Sequence, residues 1–176
     1  MDQSPTLLDL APDQSRSFLQ RWIAEAGLPG YRAEQLHRRL WITPVRSWQE
    51  ATELPVELRQ RLEAELPLGR LEIATSQQSS DGTRKYLWRL ADGEMVESVL
   101  IPTATRRTLC ISSQSGCALG CVFCATGLMG FRRNLRPSEI AGQVRELVIA
   151  DPADKPTNIV FMGMGEPLLN WAAVNT

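Results

Sequence analysis

Histidine is almost absent from this chain, and long apolar runs are absent altogether. His37 is the single histidine among 176 residues, which argues against Ser-His-Asp hydrolysis and against metal sites ligated by histidine. No apolar run approaches the ~20 residues of a membrane span, so no membrane association is expected. Residues 1–4 lack the basic and apolar regions of an export signal. Cysteines without an export signal indicate a cytoplasmic, reducing location.

The chain also lacks an excess of charge of either sign. Its net charge of −1 at pH 7 is no nucleic-acid signature, so any RNA contact must come from local basic patches. Two groups qualify: Arg16, Arg21, Arg32, Arg38 and Arg39 beside aromatic residues, and Arg132, Arg133 and Arg136 further along. Basic side chains near aromatic rings suit phosphate contact and base stacking. A solvated helix face explains the first group about equally well, whereas we expect the second to contact RNA or a cosubstrate.

Three segments of different character follow one another. Residues 1–70 predict a helical domain of three short helices, since apolar residues recur at helical spacing between glycine and proline breaks. Residues 71–105 predict an antiparallel β linker, with Asp81-Gly82 and Asp92-Gly93 as its turns. This linker leads into residues 106–176.

The last segment is typical of the beginning of a parallel α/β fold. A short apolar strand begins at Thr108, a helix opens at Pro137, and a second strand begins at Asn158. This order predicts a βαβ unit with a parallel sheet, in which ligands bind beyond the carboxyl ends of the strands. Two parallel strands offer too little core to stand alone, so the sequence is interpreted as the front part of a longer protein.

Three closely spaced cysteines carry the strongest chemical signal. Cys117, Cys121 and Cys124 follow a C-x3-C-x2-C spacing after the first of these strands. Four-iron clusters usually take four protein thiolates. Three thiolates leave one iron open to S-adenosylmethionine, the arrangement used to split that molecule into a radical. The spacing favours such an enzyme over two alternatives, a zinc-stabilised RNA-binding module and an electron-transfer module with Cys110 as fourth ligand.

A glycine-rich segment, Gly163-Met-Gly-Glu-Pro167, follows the second strand. Glycine lets a backbone approach a ligand closely because it has no Cβ, and the carboxylate of Glu166 suits the ammonium group of S-adenosylmethionine. Alone, the segment also fits a plain strand-to-helix turn. Its position one βα unit after the cysteines indicates the cosubstrate site.

Together these motifs resemble the RlmN/Cfr family of radical S-adenosylmethionine enzymes, which methylate adenosine in RNA. Three stretches carry the resemblance: residues 110–124 (CISSQSGCALGCVFC), 130–135 (GFRRNL) and 162–170 (MGMGEPLLN). The resemblance implies an α/β protein with a small N-terminal helical domain, a β linker and the first βαβ part of a partial (β/α) barrel, truncated after it.

The resemblance also implies roles for individual residues. The matched ligands of a 4Fe-4S cluster are Cys117, Cys121 and Cys124. Gly165 and Glu166 match the contact to S-adenosylmethionine. Glu97 matches the proposed general base, and Cys110 matches the cysteine that resolves a covalent enzyme–RNA adduct by forming a disulfide. Without the resemblance, Glu97 is an ordinary strand carboxylate and Cys110 a buried core cysteine.

The family's chemistry consumes two molecules of S-adenosylmethionine. One methylates a cysteine near the C-terminus, and the other is cleaved to a 5′-deoxyadenosyl radical that activates this methyl group for addition to carbon 2 of adenine. The implied partners are 23S ribosomal RNA, transfer RNA and a low-potential electron donor such as flavodoxin or ferredoxin. The methyl-carrying cysteine lies outside this sequence, so the segment alone is expected to be inactive. Methylation at carbon 8 and a non-catalytic iron-sulfur or RNA-binding remnant are the alternatives.

Overall fold

The structure, a computed structural model, describes residues 6–176. The absence of an export signal at residues 1–4 concerns positions outside this range. Two compact units divide the described chain between Arg70 and Leu71, and each has an apolar core of its own. Over the described range, no helix is both long and apolar enough to cross a lipid bilayer.

The unit that ends at Arg70 is a small helical bundle. Its helices are α1 (Pro12–Glu25), α2 (Tyr31–Trp41) and α3 (Val56–Glu65), with 3-10 turns at Leu7–Asp9 and Trp48–Glu50. Apolar residues three and four positions apart turn one face of each helix inwards. The buried residues include Leu19, Ile23, Leu36, Leu40, Leu58 and Leu62. The three short helices that the sequence predicts are therefore present.

The second unit contains seven strands and three helices. The strands are β1 (Glu72–Gln78), β2 (Arg84–Arg89), β3 (Met95–Pro102), β4 (Arg107–Cys110), β5 (Gln114–Gly116), β6 (Phe131–Asn134) and β7 (Asn158–Val160). The helices are α4 (Ala125–Leu128), α5 (Pro137–Ala150) and α6 (Trp171–Val174), with 3-10 turns at Pro152–Asp154 and Pro167–Asn170. The first three strands form the predicted antiparallel meander, whose turns place Gly82 and Gly93 at φ +85° and +89°.

One sheet joins this meander to the βαβ unit. Strands β4 and β7, which precede and follow α5 in the chain, pair in parallel, as the sequence predicts. Strand β3 also pairs antiparallel with β4, which gives one five-stranded sheet in the order β1-β2-β3-β4-β7. The meander is thus part of the same sheet as the parallel strands, because its last strand supplies the edge on which β4 pairs.

Helix α5 packs on one face of this sheet. Alternate side chains of β2, β3 and β4 point to this face and are buried with Ile140 and Leu147 of α5: Trp88, Val96, Leu100 and Leu109. The intervening side chains, with a period of two, point to the opposite face. That alternation separates a packed face from a face available to the site.

The hairpin of β5 and β6 is an element that the sequence pattern did not predict, as are the short helices α4 and α6. The hairpin forms a separate two-stranded antiparallel sheet, and its long connection contains the three closely spaced cysteines and α4. Strand β5 is only Gln-Ser-Gly, and all three residues are buried. It has no apolar alternation from which a strand can be predicted.

Candidate cluster and cosubstrate site

The cysteine loop, residues 117–124, forms the first part of the connection between β5 and β6. The backbone closes its base, since the N–H of Cys117 donates to the carbonyl of Gly130 at 3.2 Å. Gly116 has φ +72°, and a Cβ on it would lie 1.8 Å from the same carbonyl oxygen. Glycine at position 116 is therefore a condition for the hairpin that presents the cysteines.

The last cysteine of the loop precedes the short helix α4. The backbone N–H of Cys124 donates to the carbonyl of Cys121 at 3.0 Å, which turns the chain between the two thiols. A hydrogen bond from the backbone of Gly127 holds the pKa of the Cys124 thiol below its ordinary value. A lower pKa favours the thiolate, which is the form of cysteine that binds metals.

The donors of the cysteine loop fit an iron-sulfur cluster by their chemistry. All four cysteines of the chain are free thiols. Within residues 6–176, no three His, Cys, Asp or Glu side chains are gathered closely enough to hold a metal ion. The loop nevertheless offers three thiols with no acidic residue between them, and apolar Val122 and Phe123 are 93% and 90% exposed beside them. The assignment of Cys117, Cys121 and Cys124 as cluster ligands stays a prediction.

The cosubstrate loop, residues 163–166, lies directly against the segment that leads into the hairpin. The N–H groups of Ser113 and Gln114 both donate to the carbonyl of Met164, at 2.8 and 3.2 Å. The N–H of Gly163 donates to the carbonyl of Ile111 at 3.1 Å. The backbone therefore ties the glycine-rich segment to the chain that presents the cysteines, although some fifty residues separate the two in sequence.

Gly165 and Glu166 are held by the side chain of Gln114. Gly165 has φ +94°, and a Cβ there would lie 2.5 Å from the Cβ of Gln114. The N–H of Glu166 donates to Oε1 of Gln114 at 2.9 Å. Oε1 of Glu166 in turn accepts from the N–H of Leu168 at 3.0 Å. This leaves Oε2 of Glu166 without a hydrogen-bond partner in the described chain, so a positioned carboxylate oxygen is open to an ammonium group.

Glu97 and Cys110 lie on the same face of the sheet. Val99 is directly opposite Cys110 in the β3–β4 pair, and Glu97 comes two residues before Val99 on the same face. Diagonal neighbours of this kind lie about 7–8 Å apart, with their Cβ atoms somewhat closer. Oε1 of Glu97 lies 3.0 Å from Nζ of Lys85, and burial raises the pKa of the Cys110 thiol. The structure thus brings the two residues together on the face opposite α5.

Arg133 does not have the role expected from the sequence. Its Nε donates to Asp92 at 2.6 Å, and its two terminal nitrogens donate to Glu139 at 2.8 Å each. The guanidinium binds the hairpin to the β2–β3 turn and to α5, and it is therefore used by the fold rather than by RNA or a cosubstrate. Arg132, the preceding residue, is exposed and lines a cavity of about 440 Å³ beside the hairpin.

The N-terminal basic group is also partly used by the fold. Arg39 binds Glu53 through two hydrogen bonds, of 2.7 and 2.9 Å. Tyr31 is 58% exposed, and the guanidinium of Arg32 lies 4.9 Å from the centre of its ring. Arg32 also donates to the backbone of Glu53. Within this group, the exposed Tyr31 ring is the feature that best fits base stacking.

Buried polar side chains behind the loops were missed by sequence analysis. Gln143 is fully buried in α5, and its amide contacts the backbone of Ser112 on both sides. Nδ2 of Asn170 donates to the carbonyls of Ser113 and Leu135 at 2.8 Å each. One signal was available, because Gln143 lies at helical spacing between the buried apolar residues Ile140 and Leu147 of the same helix.

The fold and the two loops together define a radical S-adenosylmethionine protein. Residues 111–175 match the Radical SAM superfamily. A solved structure of a radical SAM methyltransferase from Sphaerobacter thermophilus superposes on the chain with a TM-score of 0.85 and 40% identity, covering 98% of this chain and 50% of that one. This likeness confirms the predicted α/β architecture.

Curated relatives of the chain indicate which family within this superfamily it resembles. The chain is 58% identical to the "Probable dual-specificity RNA methyltransferase RlmN" of Gemmatimonas aurantiaca, over 97% of this chain and 48% of the relative. It is 45% identical to the dual-specificity RNA methyltransferase RlmN of Anaeromyxobacter dehalogenans, over 98% of this chain and 47% of the relative. The chain belongs to the RlmN/Cfr family, and it spans about half the length of these curated relatives.

Proposed function

We propose that this chain is the cluster-binding part of an enzyme that methylates carbon 2 of adenosine in 23S ribosomal RNA and transfer RNA. The observation that carries the proposal is the shared backbone of the two loops. The carbonyl of Met164 accepts hydrogen bonds from the N–H groups of both Ser113 and Gln114. These bonds join the cosubstrate loop directly to the cysteine hairpin, which consists of β5, β6 and the cysteine loop between them. A cluster and a cosubstrate that react with each other need this proximity.

Each loop contributes one part of the binding site. Cys117, Cys121 and Cys124 hold a 4Fe-4S cluster. When bound, such a cluster supplies the electron that cleaves S-adenosylmethionine and an open iron that coordinates it. Gly165 brings the backbone close to the cosubstrate, and the open oxygen of Glu166 accepts a hydrogen bond from its ammonium group.

Glu97 and Cys110 act on the RNA side of the reaction. After the new carbon–carbon bond forms, the radical adduct gives up its unpaired electron to the electron-transfer partner and a ring proton of adenine to Glu97. Lys85 at 3.0 Å holds the carboxylate of Glu97 in place. The Cys110 thiol, as thiolate, attacks the sulfur of the thioether that links enzyme and RNA. A disulfide forms, the sulfur–carbon bond breaks, and the carbon takes up a proton as the methyl group of the product.

RNA, a low-potential electron donor and a reducing cytoplasm complete the proposal. Arg132, which is exposed and lines the cavity of about 440 Å³ beside the hairpin, contacts a phosphate of the RNA. The exposed ring of Tyr31 supplies a stacking surface in the helical unit. A donor such as flavodoxin or ferredoxin is required because S-adenosylmethionine is cleaved by reduction.

Iron content tests the cluster assignment. In anaerobically purified intact protein, each of Cys117→Ser, Cys121→Ser and Cys124→Ser should lose the cluster iron and its brown colour. Cys110→Ser is the matched control and should keep both, because Cys110 lies in β4 rather than on the loop. Iron lost from all four variants would indicate a four-thiolate electron-transfer cluster. Colourless protein that contains zinc would favour a zinc-stabilised RNA-binding module.

The position of the methyl group tests the reaction. RNA incubated with the reduced, cluster-loaded enzyme is digested to nucleosides, which are separated by chromatography and weighed by mass spectrometry. We expect 2-methyladenosine and release of 5′-deoxyadenosine. Formation of 8-methyladenosine would overturn the carbon 2 assignment, and 5′-deoxyadenosine without methylated RNA would overturn the proposed substrate.

A further inference from the structure

A buried amide lies directly behind the two loops of the site. Gln143 of α5 is fully buried, and both ends of its side-chain amide bind the chain at Ser112. We propose that Gln143 and Ser112 are positioning residues that fix the cosubstrate loop relative to the cysteine hairpin and thereby set the affinity for S-adenosylmethionine. The proposal rests on the proposed function and adds to it residues that touch neither cluster nor cosubstrate.

Gln143 replaces the strand neighbour that Ser112 lacks. The regular pairing of β4 with β3 ends at Cys110, so the next residues need other partners for their backbone groups. Oε1 of Gln143 accepts from the N–H of Ser112 at 2.8 Å, and its Nε2 donates to the carbonyl of Ser112 at 2.8 Å. The amide therefore clamps one residue on both sides and sets where the chain turns toward the hairpin.

The hydroxyl of Ser112 carries this constraint to the cosubstrate loop. Its Oγ accepts from the N–H of Met164 at 2.9 Å and donates to the carbonyl of Glu97 at 2.6 Å. Ser112 and Met164 are both buried, so water does not readily replace either bond. Displacement of Ser112 therefore moves the loop that holds Gly165 and Glu166.

The same network contains a matched control. Ser98 of β3 is also buried, and its hydroxyl donates to Oε1 of Gln143 at 2.7 Å while accepting from Nε1 of Trp88 at 3.0 Å. Ser98→Ala and Ser112→Ala each remove one buried hydroxyl and two hydrogen bonds. Of these two serines, only Ser112 contacts the cosubstrate loop. Ser98→Ala removes neither of the two hydrogen bonds between Gln143 and Ser112. A difference between the two variants therefore reports positioning rather than general loss of stability.

The test measures two quantities on the intact protein. The first is the dissociation constant for S-adenosylmethionine in the cluster-loaded enzyme, determined by anaerobic equilibrium dialysis. The second is hydrogen exchange of the peptide that contains residues 163–166, in protein without cluster or cosubstrate. We expect Ser112→Ala to raise the dissociation constant about tenfold, since a buried N–H loses its acceptor, and to speed exchange in this peptide. Ser98→Ala should leave both near their wild-type values.

The outcomes separate this proposal from the proposed function. Tight binding by the wild type with equal effects of both variants would overturn the positioning role and leave the function intact. No binding of S-adenosylmethionine by the wild type would overturn the function. The exchange measurement then still decides whether Ser112 holds the loop, because faster exchange only in Ser112→Ala supports that role and equal exchange in both variants contradicts it. Gln143→Met, which keeps the side-chain volume, should speed exchange at least as much as Ser112→Ala.

Discussion

Replacement of Arg133 by methionine tests whether the hairpin is held by its ion pairs. Methionine keeps most of the apolar stem of arginine but removes the three hydrogen bonds to Asp92 and Glu139. The two carboxylates then lose the cation that compensates their charge. Because β6 carries Arg133 and also closes the hairpin of the cysteine loop, the variant should loosen the cluster site as well as lower stability.

The burial of the three side chains sets the magnitude. Arg133, Asp92 and Glu139 are 29%, 22% and 12% exposed. Hydrogen bonds to charged groups contribute about 1.5–3 kcal/mol each when well buried, whereas exposed ion pairs contribute less than about 1 kcal/mol. The intermediate exposure leads us to expect a loss of about 2–3 kcal/mol in the free energy of unfolding. For a unit of this size, that corresponds to a fall of about 8–12 °C in Tm.

Thermal unfolding followed by circular dichroism measures the effect, with Arg132→Met as the control. Arg132 lies next to Arg133 in β6 but is exposed, so its loss should change the free energy of unfolding by less than about 0.5 kcal/mol. The hydrogen bond from Arg133 lowers the pKa of Asp92 from its ordinary value of 3.8. The stabilisation is therefore complete well above pH 3.8 and is lost as the pH falls through the lowered pKa. Equal Tm values for the two variants at pH 7 would refute the reasoning.

Three further predictions concern other parts of the chain. Gly165→Ala should lower the free energy of unfolding, measured by urea titration, by more than about 2 kcal/mol, because the added Cβ would lie 2.5 Å from a side-chain atom. The control Gly93→Ala is also at positive φ but has nothing within 4 Å of the added Cβ, so it should lower the free energy of unfolding by less. Glu53→Gln should destabilise the helical unit by less than about 1 kcal/mol. The hydrogen bond from Arg39 lowers the pKa of Glu53, so this difference should vanish as the pH falls well below 4.5; a difference that persists at low pH would contradict the ion pair. Burial raises the pKa of Cys110, so its alkylation by iodoacetamide at pH 8, followed by mass spectrometry, should be slower than that of an unstructured cysteine peptide; equal rates would contradict the burial.

The parts of the fold that the sequence predicts are those set by local patterns. Apolar residues at helical spacing predict the three N-terminal helices, and Asp-Gly turns between strand-like segments predict the meander. The cysteine spacing and the glycine-rich segment are also local patterns, since each requires particular residue types at neighbouring positions. These features need no knowledge of distant contacts.

The parts that were missed depend on partners far away in the chain. Strand β5 is a strand because β6 pairs with it, and its own three residues contain no strand signal. Arg133 lies in a basic segment next to the cysteine loop, which favours a role in ligand binding, yet its guanidinium binds Asp92 and Glu139. Which basic residues are available to RNA is therefore a question that composition alone does not answer.

The sequence alone predicted the class of chemistry, because three thiols on one loop and a glycine-rich segment with a carboxylate are short motifs. The tertiary structure decided how these motifs are assembled. It placed Glu97 and Cys110 on one face through strand register, and it joined the two loops through buried bonds at Ser112 and Met164. The physical reason is that hydrogen-bond partners distant in sequence are chosen by packing, and packing leaves no local pattern in the chain.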